Sequence, residues 1–117
     1  MVLKIAHVGY DQALMRTRSL VLRDAGFSVD EAYSLSDALT LTEFVHALLI
    51  CHTLPETSRI LLIAAVRENR GLMPIFCVRL LRSETPCEAL PDGCIEVESD
   101  PLAILDAVAS AMAMGQA

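Results

Sequence analysis

Short apolar runs alternate with stretches of helical period along nearly the whole chain, and this rhythm constrains the fold more than any other feature. Residues 45–51 are almost wholly apolar, which suits a central parallel strand covered on both faces. Residues 2–8 form a similar run with one lysine, broken by Gly9, Tyr10 and Asp11. Asp11 is placed to cap a helix over residues 12–25, with Leu14, Val21, Leu22 and Ala25 as its buried stripe and Gly26 as its stop. Residues 27–33 alternate apolar and polar side chains and read as a strand at a sheet edge. Ser34 or Ser36 then caps a short helix running through Phe44. After a turn at residues 52–55, residues 56–70 read as a helix with acid at its start and Arg67 and Arg70 near its end, as the helix dipole favours; Gly71 stops it. Residues 74–80 and 94–97 are further strands, and Asp100 and Pro101 open a last helix, as cap and first helical residue, that runs to about Met114. Pro86 and Pro91 restrict residues 81–93 to about two helical turns at most. Strand and helix in this order predict an α/β, three-layer, doubly wound sheet of five parallel strands with right-handed crossovers.

Composition narrows the function classes. A chain of 117 residues fits one domain, 1–117, that buries roughly two-thirds of its unfolded surface and folds without a metal or a disulfide. Its core must be aliphatic, because 54% of residues are apolar and only 4% aromatic. A net charge of −6, with no cluster of Lys or Arg, argues against nucleic acid as a partner, since a phosphate backbone demands a basic footprint. Cys51, Cys77, Cys87 and Cys94 lack the paired spacing of a zinc site, and three of them lie in apolar runs, so they read as small buried hydrophobes in a reducing compartment. The opening MVLKIAHV stops at Gly9 and does not read as a signal peptide, and no stretch reaches the ~18 apolar residues of a membrane span. The expected location is the cytoplasm, with no membrane partner and no cofactor.

Several segments in order resemble the receiver domain of response regulators, the flavodoxin-like module of two-component signalling. KIAHVGYDQAL resembles its first strand and loop, LRDAGFSVDEAYSLSDAL the helix–Gly–aromatic–strand–helix that follows, HALLICHTLP its third strand with a terminal proline, PIFCVR its fourth strand and DPLAILDAV its last helix. The resemblance covers nearly the whole chain and implies the strand order 2-1-3-4-5, with a shortened fourth helix in the proline-bearing stretch. It also implies a site at the carboxyl ends of the strands: two acids for a magnesium ion, an aspartate that accepts phosphate, and a Ser or Thr and a Lys that hold the phosphate. In this chain the acid positions match Gly9 and Tyr10, with only the neighbouring Asp11 acidic. The acceptor position is Cys51, the hydroxyl position Arg79, and the lysine position Val97, flanked by Glu96 and Glu98. Lys4 is the only lysine in the chain, so no register supplies one at the fifth strand. The fold is expected to carry over and the phosphorylation chemistry is not, which makes the chain resemble a degenerate receiver, or pseudo-receiver.

Cys51 has two readings: a buried hydrophobe, or a thiol-based redox sensor near Arg79, whose charge favours thiolate. His52 adjoins it, but neighbours in an extended chain point apart, which argues against direct pairing. A metal site from His7, Cys51, His52 and Cys77 lacks ligand spacing, and no metal is expected. Arg79 is read either as a snorkelling surface residue or as a partner of Asp11. No acid–base–nucleophile set for an enzyme is visible. Two helices look apolar all round: the one bearing Leu61 and Ala65, and the last, with Leu102, Ala103, Ala107, Ala111 and Met114. Such helices must be covered, so the expected mode of action is protein–protein contact with a signalling partner, and a homodimer through the last helix.

Overall fold

A computed structural model describes residues 3–79 and 94–115. The chain alternates β1 (Lys4–Val8), α1 (Gln12–Asp24), β2 (Ser28–Ala32), α2 (Leu35–Leu41), β3 (Ala47–Ile50), α3 (Glu56–Asn69), β4 (Ile75–Arg79), β5 (Cys94–Glu98) and α4 (Pro101–Gly115). The five strands form one sheet in the order β2-β1-β3-β4-β5, and every pairing is parallel. Both match the order and direction expected from the sequence, including the placement of the polar strand β2 at an edge. The expected shortened helix within residues 81–93, and with it Cys87, lies outside the described residues.

Local chemistry sets the element boundaries. The Asp11 carboxylate accepts from Leu14 N at 3.1 Å and caps α1. Gly26 follows that helix at φ 103°, a left-handed conformation that glycine adopts without steric cost. Ser34 caps α2 by accepting from Asp37 N. This helix stops at Leu41, short of the expected Phe44, whose ring is exposed. Asp100 accepts from Leu102 N and Pro101 takes the first helical position of α4. Arginines at the end of α3 satisfy loop carbonyls that the sheet leaves unpaired: Arg67 Nη1 donates to Gly71 O and Met73 O, and Arg70 Nη1 to Thr42 O and Val45 O.

The sheet separates two cores. On one face Ala6, Val8, Leu48, Ile50, Ile75 and Cys77 pack against Ala38 of α2 and Leu62, Ile63 and Val66 of α3. On the other, Ile5, Val29, Ala47, Leu49, Phe76, Val78 and Val97 pack against Leu22 of α1 and Ile104, Val108 and Met112 of α4.

Three expected helix faces need correction. Helix α1 buries Met15, Arg18, Ser19 and Leu22; Leu14 and Val21 are half-buried and Ala25 is exposed. Met15 and Leu22, two turns apart, fix its rotation and carry Arg18 and Ser19 inward with them. On α4, Ala107 and Ala111 pack against the chain's own core, Ala103 is half-buried, and the outward stripe is Leu102, Asp106, Ala109 and Ser110. The side chain of Met114 lies outside the described residues. On α3, Ala65 is half-buried, whereas Ile60, Leu61 and Ala64 do face outward, Leu61 at 56% exposure. Among the described residues, no helix is long and apolar enough to cross a membrane.

Candidate functional site

In doubly wound sheets, ligands gather at the carboxyl ends of the strands, where the loops following β1 and β3 lie side by side. Here those two loops are joined through one hydroxyl: Thr53 Oγ1 accepts from Tyr10 N at 2.9 Å and from Asp11 N at 3.4 Å. Gly9 makes the close approach feasible. A β-carbon there would stand 2.5 Å from Cys51 Cβ, 2.9 Å from Thr53 Oγ1 and 3.0 Å from Met15 Sδ, so no other residue fits without a shift. Cys51 continues β3 by donating its N–H to Val8 O at 2.7 Å, and its side chain is 0% exposed beneath the joined loops.

The group facing this sulfur is a guanidinium from α1. Arg18, only 2% exposed, donates from Nη1 to Cys51 Sγ at 3.0 Å, while its buried Nε has no hydrogen-bond partner among the described residues. Arg79, the arginine expected there, closes β4 in register with Glu98. Asp11, the one acid of the loop, is engaged in capping α1, and Tyr10 is half-exposed. Val97, at the lysine position, packs into the core beside Val78. The sequence positions Gly9, Tyr10, Asp11 and Cys51 are therefore brought together, and the charge among them comes from a residue the sequence reading did not select. The available signal was positional: Arg18 stands three residues after Met15 and four before Leu22, on the buried stripe itself.

His52 requires a second correction. Its Nδ1 lies 3.9 Å from Cys51 Sγ, within sulfur hydrogen-bond range. Strand β3 ends at Ile50, so the alternation that would point Cys51 and His52 apart no longer operates. Burial lowers the pKa of His52 from the usual 6.5, and Arg18 lowers it further against the opposing pull of Asp11. The ring is therefore neutral at pH 7.

Below this pocket on the same face, His7 is fully buried with Nδ1 3.0 Å from Ser19 Oγ. Ser19 Oγ donates to Glu31 Oε2 at 2.9 Å, and Tyr33 OH donates to Glu31 Oε1 at 2.9 Å. Because Ser19 donates to the carboxylate, it accepts from His7, which assigns the ring proton to Nδ1 and leaves the partnerless Nε2 as an acceptor. Burial pushes the His7 pKa down to about 4, with Arg18 and Arg23 adding to the effect and Glu31 opposing it. Cys77 belongs to the core on the opposite face, so the sheet separates it from His7 and from the α1-side pocket of Cys51. Among the described residues, no group of three or more His, Cys, Asp or Glu is arranged to hold a metal ion.

No protein-family model and no curated protein matches the sequence. Solved structures do match over nearly the full length. A proposed response regulator from Chloroflexus aurantiacus superposes with a TM-score of 0.82 at 22% identity, covering 97% of this chain and 99% of that one. A CheY-like response regulator receiver domain protein from Methanospirillum hungatei gives 0.81 at 19% identity, covering 99% and 98%. The chemotaxis protein CheY4 of Vibrio cholerae gives 0.79 at 18% identity, covering 94% and 98%. At such identities the likeness speaks for architecture alone, and on it the chain has the fold of a response-regulator receiver domain.

Proposed function

We propose that this chain is a single receiver-like signalling domain, 1–117, that has lost aspartyl phosphorylation and acts by contact with a protein partner in the cytoplasm. The observation that carries the reading is the buried Arg18–Cys51 contact. A receiver's pocket is built to attract a divalent cation with carboxylates and to take a phosphoryl group on one of them. In this chain the acceptor position holds sulfur, the acid positions hold Gly9 and Tyr10, and the pocket already contains a fixed cation. A magnesium ion placed there would meet the guanidinium charge and no carboxylate pair. The chain's net charge of −6 disfavours nucleic acid.

The expected result is that acetyl phosphate with Mg²⁺ leaves the intact mass unchanged, and that Mg²⁺ up to millimolar concentration leaves the melting temperature unchanged. An acid-labile adduct of one phosphate would overturn the reading.

Partner contact is proposed to include a second copy of the chain. The support is apolar surface without internal cover: Ile60, Leu61 and Ala64 on α3, and Leu102 at 64% exposure on α4. A two-fold dimer through one of these two surfaces is the default arrangement. Sedimentation at micromolar concentrations is expected to give a dimer that Leu61→Glu or Leu102→Glu dissociates, whereas a wild-type monomer would remove the self-association. These positions are better probes than Ala107 and Ala111, which pack on the chain's own core.

A further inference from the structure

We propose that Cys51, with His52 and Arg18, forms a hydroperoxide-reactive thiol centre, so that the position matching a receiver's phosphate acceptor takes an oxygen atom instead. Two groups converge on one sulfur. Sγ lies 3.0 Å from Arg18 Nη1 and 3.9 Å from His52 Nδ1. A nucleophile, a base within reach of its proton, and a cation beside it are what activated thiols require. Cys77 is also buried but lies on the other face of the sheet, in the core with Leu48, Ile50 and Ile75.

Sulfur attacks the distal oxygen of a hydroperoxide, the S–O bond forms and the O–O bond breaks. His52 Nδ1 takes the thiol proton and returns it to the departing alkoxide, which leaves as an alcohol, or as water when the oxidant is hydrogen peroxide. Sulfur is oxidised by two electrons to sulfenic acid, and the peroxide is reduced by the same two. His52 suits this task because its ring is neutral at pH 7, as its lowered pKa requires. Arg18 stabilises negative charge as it develops on sulfur and on the leaving oxygen, in a buried setting where such charge stabilisation is strong. Its Nε–H, buried and without an acceptor, is a donor available to the new sulfenic oxygen.

Access runs through the joined loops. Thr53 Oγ1 holds the backbone of Tyr10 and Asp11 over the sulfur, and both residues are exposed, so separation of these two loops opens the pocket while the sheet stays intact. The reactivity follows from the pocket alone and does not depend on the signalling role proposed above, so failure with acetyl phosphate and failure with peroxide are separate results.

The test uses the full reduced chain, treated with hydrogen peroxide and, separately, with tert-butyl hydroperoxide, in the presence of dimedone to trap sulfenic acid. Adducts are located and timed by peptide mass spectrometry. The expected result is a dimedone adduct on Cys51 that forms faster than any on Cys77 and is absent from Cys51→Ser. Trapping should slow by about an order of magnitude in His52→Phe, consistent with loss of a positioned base, and in Arg18→Gln, with Arg18→Lys recovering part of the rate. Circular dichroism establishes that each variant is folded. If Arg18→Gln is not, His52→Phe, whose ring is only half-buried, gives the deciding comparison. Labelling of Cys51 no faster than of Cys77, or a folded His52→Phe that reacts at the wild-type rate, would overturn the proposal.

Discussion

Between pH 7 and pH 4 the folded protein is expected to lose about 3 kcal/mol of stability through His7 alone. In the unfolded chain this imidazole takes up its proton near 6.5, whereas in the folded chain burial holds its pKa to about 4. Between those two values the unfolded state binds more protons. Stability is therefore full above pH 6.5, falls as pH drops towards 4, and levels off below that once both states are protonated. The size follows from a lowering to about 4, at about 1.4 kcal/mol per pH unit. The penalty has a clear physical source: a cation formed at His7 would sit fully buried, with Arg18 and Arg23 repelling it and the Glu31 carboxylate opposing them. Urea titrations at half-unit pH intervals measure the effect. Replacing His7 by Leu keeps the Ser19–Glu31 hydrogen bond and should remove nearly one proton's worth of slope between pH 4 and 6.5. An unchanged slope in His7→Leu would assign the acid sensitivity to the carboxylates instead.

The second large effect is expected to be a gain. Arg18→Met should stabilise the protein by about 1–3 kcal/mol at pH 7, in line with replacing a buried charge by an apolar side chain of similar reach. Arg18 is 2% exposed, and among the described residues its Nη1 donates to a sulfur and its Nε is unsatisfied. Sulfur is a weak acceptor and offers the guanidinium little return for lost hydration. Removing this cation also removes a charge that depresses the His7 pKa, so the variant should lose less stability between pH 7 and pH 5 than the wild type. Denaturant midpoints of wild type and variant, at pH 7 and pH 5, test both statements. A loss of more than about 1 kcal/mol in Arg18→Met would mean that the thiol compensates the charge far better than a neutral acceptor does. If the gain is found, the arginine is kept at a cost to stability, which is the usual mark of a residue retained for its chemistry.

The two predictions bear on what could be read from residue order. The architecture was legible because its signal is cumulative: the near-continuous apolar run ending at Cys51, the polar edge strand carrying Asp30 and Glu31, and the caps Asp11 and Asp100 each specify one element, and the elements specify the order. The pocket was legible only in part. Cys51, Gly9 and Tyr10 fall where the resemblance places a receiver's acids, but nothing in their spacing announces Arg18. A charged residue on an amphipathic helix is normally assigned to water, and only the rotation set by Met15 and Leu22 turns this one inward. His52 was misread for a similar reason: whether neighbours diverge depends on where a strand stops, and boundaries are the least legible property of any element. The last helix was misjudged because alanine is equally at home in water and in a core; only the packing of Ala107 and Ala111 beside Val108 distinguishes the two.

The division of the interior by the sheet has a further consequence. A side-chain change on the α1–α4 side is separated from the α2–α3 side by a backbone layer whose hydrogen bonds do not depend on which side chains it carries. Substitutions on opposite sides should therefore add with little interaction energy, and one side can drift in sequence without forcing adjustment on the other. An event at Cys51 strains its own side first, through Arg18 into α1 and from there into α4. Along the chain, its shortest route to Leu61 on α3 runs through the His52–Pro55 turn that leads into that helix. A substitution in that turn is therefore the direct way to test whether a change at Cys51 is felt at the apolar surface of α3.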